Sequence, residues 1–173
     1  MKKIILILTL IVGIMIYNTN KEEIITIPDT AIRLRVIPNS NSALDQNMKQ
    51  KVKSYLEKNT YTLLKDETNI ESARKIIKEN IPIIEDNVYK IFSDNNYEMN
   101  YTVDYGYNYF PEKKYRSIKY NEGYYESIVI SIGNAKGDNW WCVLFPNLCL
   151  IDLQQTNDIE YKSWIIETIN KIF

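Results

Sequence analysis

No histidine occurs anywhere in the 173 residues. That absence excludes Ser-His-Asp hydrolysis, Cys-His proteolysis, HExxH metalloproteases and most catalytic zinc sites. The five glycines are scattered and build no phosphate-cradling loop. There is no repeat, no low-complexity tract and no long basic run, so duplex nucleic acid is not an expected partner; binding it needs clustered cations that displace counterions. No residue set points to a metal or a cofactor. Only two cysteines are present.

What is there fits one globular domain of ordinary size: 45% hydrophobic and 25% charged residues over 173 positions, enough to bury a core and too few for two comfortable ones. The N-terminus is set apart. Lys2 and Lys3 precede an apolar run from Ile4 to Ile16, broken only by Thr9 and Gly13, and polarity returns at Asn18. Such a run reaches roughly 20 Å as a helix, short of the ~30 Å hydrocarbon core. Residues 1–17 therefore read as a signal peptide. No small-residue pair marks a cleavage site, so an uncleaved membrane anchor, touching the membrane surface through the leader, stays open. Without the two lysines, 19 basic residues face 22 acidic ones.

Residues 18–30 read as a tether and 31–173 as the domain. Ile32, Leu34 and Val36 alternate with Arg33 and Arg35, the period of a strand with one buried face. Pro38, Asn39 and Ser40 end it. Ser42 and Asp45 then resemble a capping box opening a helix over 43–58. A second apolar stripe predicts a helix over 70–92, kinked or split at Pro82, which removes a backbone donor. Tyr97 to Tyr105 alternate as a half-buried strand; a short strand near 114–118, another over 124–132, an aromatic segment over 140–150 and a helix over 159–172 complete the chain. The order implies α+β, two layers, with helices packed on a mostly antiparallel sheet and a signal or anchor helix in front.

Candidate functional residues are few. Trp140 and Trp141, as neighbours on an extended segment, point to opposite faces. Either both are covered core or one is a contact of the kind tryptophan favours. Arg33 and Arg35, on the polar face of their strand, serve either structural ion pairs or a partner. Cys142 and Cys149 are either bridged, as an exported compartment favours, or two buried thiols. Closing that loop of about eight residues would contribute roughly 2.5 kcal/mol. Fourteen tyrosines lie largely in strand-like sequence, where the residue is simply favoured. No catalytic residue is assigned, since Asp104 and Asp138 are single acids near strand ends.

Two segments together resemble the stage II sporulation protein R family. One is Ile32-Arg33-Leu34-Arg35-Val36-Ile37-Pro38-Asn39-Ser40-Asn41-Ser42 with Asp45-Gln46 and Lys49. The other runs from Phe110-Pro111 through Tyr115 and Gly123-Tyr124-Tyr125-Glu126 to Gly137, then Asn139-Trp140-Trp141-Cys142-Val143-Leu144-Phe145-Pro146 and Leu148-Cys149. Pro38 and Asn41 depart from the family's usual alanine and aspartate, and the tail after 152 does not match. The resemblance implies a secreted sporulation signal of Firmicutes. It would be exported from the forespore into the space between the two membranes, where it activates a membrane-embedded aspartic protease of the stage II sporulation protein GA type and so triggers processing of the early mother-cell sigma-factor precursor. Trp140, Trp141, Phe145, Asn139, Asn39, Ser40, Arg33 and Arg35 are the expected partner contacts. Two other classes remain: a secreted cell-wall hydrolase using carboxylates alone, and a structural protein of the spore envelope.

Overall fold

A computed structural model describes residues 25–115, 118–148 and 158–172. The leader expected over 1–17 lies outside them, and no helix among the described residues is long and apolar enough to cross a membrane. In chain order the elements are β1 (Ile25–Thr26), β2 (Ile32–Ile37), α1 (Ala43–Leu64), α2 (Ile70–Asp94), β3 (Tyr101–Phe110), β4 (Lys113–Tyr115), β5 (Ile118–Tyr120), β6 (Gly123–Ile132), β7 (Trp140–Phe145) and α3 (Asp158–Ile172).

The domain is α+β, but its sheets are mixed rather than mostly antiparallel. The larger runs β3-β6-β2-β7 and the smaller β1-β5-β4. β2 lies parallel to β6, with Leu34 beside Ile128 and Val36 beside Ile130, and antiparallel to β7. β1 is likewise parallel to β5. The cause is the number of chain reversals. Two successive helices after β2 restore the chain's direction, β3 then reverses it, and β6, hairpinned to β3, returns along β2.

Both faces of the large sheet are covered. Ile32, Leu34, Val36, Ile128, Ile130 and Ile132 point to the helices and meet Met48, Val52 and Leu56 of α1 and Ile77, Ile84 and Val88 of α2. The other face carries Arg33, Arg35, Ile37, Tyr125, Val129 and Trp141. There Ile37, Phe110, Tyr125 and Val129 form a small core of their own. A third cluster joins Ile25, Ile27, Ala31, Val143 and Leu148 to Ile165 of α3. From Ile25 onward, therefore, the segment read as a tether is built into the domain.

Helix and strand limits differ from expectation for local reasons. α1 runs six residues past 58 because its buried stripe continues from Val52 and Leu56 through Thr60 to Leu64, with the Thr60 hydroxyl satisfied by donating to Leu56 O at 2.7 Å. α2 is continuous through Pro82. Tyr97 precedes β3: Asn96 takes a positive φ of 50°, and Tyr97 N bonds Phe92 O at 3.0 Å, which turns the ring into the core.

Candidate functional site

Two clusters gather most of the residues singled out from the sequence. The first is a polar knot where β2 runs into α1. Ser42 caps the helix by accepting from Asp45 N at 3.1 Å, so half of the expected capping box is present. The carboxylate of Asp45 faces elsewhere: Oδ2 accepts from Asn39 Nδ2 at 2.9 Å and from Ser40 Oγ at 2.5 Å, and Oδ1 from Tyr97 OH at 2.6 Å. Asp45 is 5% exposed. The bonds from Ser40 and Tyr97, and less so from Asn39, outweigh burial and hold its carboxyl at about 2. Burial first, and the Asp45 bond second, push the Tyr97 phenol up.

The knot also clasps the loop before β7. Asn134 N donates to Asn39 Oδ1 at 2.9 Å, Gly137 N to Pro38 O at 3.0 Å, and Asp138 N to Asn41 Oδ1 at 2.6 Å. Lys49 Nζ, buried, closes it with bonds to Gln46 Oε1 at 2.5 Å and Asp138 O at 2.8 Å. Two glycines make the approach possible. At Gly133, φ +55°, an added Cβ would fall 2.5 Å from Asn39 Oδ1; at Gly137 it would run into the Ser40 carbonyl. Asn39 and Ser40, expected as partner contacts, thus have their side chains engaged within the fold.

The second cluster begins at the end of the same loop. With its amide oxygen toward the guanidinium, Asn139 accepts from Arg35 Nε at 2.9 Å and Nη2 at 2.7 Å. Arg35 lies over the Trp141 ring, 4.3 Å from its centroid, and Lys113 Nζ lies 5.8 Å from it. Phe110 meets the same indole edge-on at 5.2 Å. Beside them Arg33 is 2% exposed, stacked 3.3 Å over Tyr125 and flanked by Phe110 and Tyr120. Burial lowers the affinity of both guanidiniums for their protons. Both arginines stack on aromatic rings, and Arg35 is held in addition by its two bonds to Asn139.

Arg35, Asn139 and Trp141 therefore come together, half-buried, on one sheet face. Trp140 occupies the opposite face, with Lys53 Nζ 5.8 Å from its ring. Phe145 is fully buried in the helix-side core, which corrects its assignment as a contact, and Arg33 is buried beneath its rings in the same way. Alternation marked Arg33 as outward; Phe110 and Tyr125 of the large sheet and Tyr120 of the smaller one cover that side. Cys142 is disulfide-bonded, and Cys149 lies outside the described residues.

Sequence reasoning missed two features. Asp45 stood out as a cap and Gln46 and Lys49 only as letters of a family string, though Lys49 follows Asp45 and Gln46 by four and three residues, within side-chain reach on a helix. Glu126 was also overlooked as an inward acid on β6. It takes a two-pronged bond from Arg74, Nε and Nη2 each at 2.7 Å, and a very short one from Tyr105 OH. These bonds, Arg74's first, keep the Glu126 carboxyl low against its burial and hold the proton on Arg74 more firmly.

The two acids of the hydrolase reading sit far apart. Asp104 is on β3, one edge of the large sheet, and Asp138 leads into β7, the other edge. Three strand spacings are about 14 Å, beyond the roughly 5–9.5 Å of a glycosidase pair. No group of metal-ligating side chains occurs among the described residues.

The fold and its two clusters define a class: a mixed-sheet α+β domain whose polar side chains are mostly tied into its own architecture, with one aromatic and cationic patch left half-open. The chain belongs to the stage II sporulation protein R family, whose model matches residues 28–155. It is 37% identical over 141 residues to stage II sporulation protein R of Bacillus subtilis (strain 168), an alignment covering 82% of this chain and 63% of that protein, so the chain spans less than two thirds of its relative's length. No solved structure matches it.

Proposed function

We propose that this protein is an exported sporulation signal that passes from the forespore into the intermembrane space. There it activates a membrane-embedded aspartic protease of the mother cell, of the stage II sporulation protein GA type, so that the precursor of the early mother-cell sigma factor is processed. The observation that carries this reading is family membership across residues 28–155, which include both clusters.

The test is co-expression of the full chain with the protease and the sigma-factor precursor in a non-sporulating host. Cleavage is expected only when the chain carries its leader. Absence of cleavage with all three proteins folded and inserted would defeat the reading.

A further inference from the structure

The Trp141 patch has an electrostatic peculiarity. Arg35 and Lys113 both approach one indole ring, yet neither forms an ion pair among the described residues. Among the described residues the nearby acids have partners other than Arg35 and Lys113. Glu112, next to Lys113, pairs with Lys119 at 2.9 Å. Asp29 accepts from Tyr125 OH at 3.3 Å. Asp138 attracts Lys49. Asp104 shares the Arg35 face, in the row Trp141, Arg35, Val129, Asp104, but two strand spacings, about 10 Å, separate it from Arg35, and Asn108 bonds it at 2.9 Å. Below them Arg33 adds a third positive charge, its Nε and Nη2 without hydrogen-bond partners.

Arg35 and Lys113 thus place two cations on an aromatic surface, with Arg33 buried beneath them, in a chain whose formal net charge is −1. Asn139 uses Arg35 Nε and Nη2, which leaves Nη1 for another acceptor. A carboxylate beside the indole would be attracted by both cations, while the aliphatic part of its side chain packs against the ring.

We propose that this face is a docking surface for a carboxylate-bearing segment of a partner protein, with Arg35 and Lys113 attracting a side-chain carboxylate beside Trp141. This rests on the reading of the chain as a partner-binding signal and adds the chemistry of the contact.

The full-length chain is titrated with a synthetic decapeptide of alternating glutamate and alanine, and with its lysine-alanine twin, following the indole N–H resonance of Trp141. The glutamate peptide is expected to bind saturably, to weaken as salt rises from about 50 to 200 mM, and to lose about fivefold or more in affinity with Arg35→Gln or Lys113→Gln. Lys113, exposed and without a structural bond, is the variant that leaves folding untouched; Lys90→Gln on α2 is the control. No saturable binding, or equal binding by the Arg35→Gln/Lys113→Gln double variant, overturns the proposal. In co-expression, cleavage that the wild-type chain supports and the double variant does not would tie the patch to protease activation. No cleavage with wild type would count against the function reading alone, and the titration would still decide the docking surface.

Discussion

Asp45 is a buried carboxylate held by hydroxyl and amide donors. Since its folded value of about 2 lies below the roughly 3.9 of an unfolded chain, its contribution is fully present above about pH 4. It is lost as pH falls through about 2. Asp45→Asn presents an amide donor to groups that are themselves donors. It should lower stability by about 2 kcal/mol and flatten the acid limb of the stability curve between about pH 4 and 2. Urea unfolding across that range measures both, and an unchanged acid limb would show that Asp45 is not the titrating group. At this scale the sequence was legible where a rule is local: Ser42 caps its helix, and Trp140 and Trp141 take opposite faces. It was illegible at Arg33, because alternation reports which way a side chain points and not whether a second layer lies there.

Among elements, α2 is tied to the sheet by Arg74 and Glu126. Glu126 is 8% exposed, and taking away Arg74 leaves a nearly buried charge supported by the Tyr105 hydroxyl and the more distant Lys78. Arg74→Ala should therefore cost about 3 kcal/mol at neutral pH, read as a drop in the urea midpoint. An effect below about 1 kcal/mol would place the pair among surface ion pairs. Pro82 is a second lever within the same helix. Pro82→Ala restores an N–H for the Lys78 carbonyl and should stabilise the domain by about 1–3 kcal/mol, seen as a higher melting temperature. Most elements could be found from periodicity, but not their ends. Thr60 interrupts the apolar stripe of α1 in type but not in position, since it is buried between Leu56 and Leu64, and Tyr97 keeps the alternation of β3 while belonging to the turn before it.

For the whole molecule, the mixed sheet was beyond the reach of the pattern. Alternation along Ile32 to Ile37 is the same whether the neighbour runs up or down, and only the count of reversals through α1, α2 and β3 decides. Both neighbours of β2 come from the last third of the chain, β6 and β7. A chain ending at residue 122 keeps both long helices but gives β2 no partner in the large sheet. It should show no cooperative urea transition in its helical circular dichroism; a sharp transition would mean that the helix pair is a folding unit by itself.

β2 therefore waits. A chain that emerges N-terminus first, from a ribosome or through a membrane pore, holds its central strand without neighbours until residues near 145 have cleared the exit. The clasp between Asn39 and Asn134 must likewise bridge some ninety residues before it contributes anything. Such a topology defers closure of the large sheet until the last third of the chain is present.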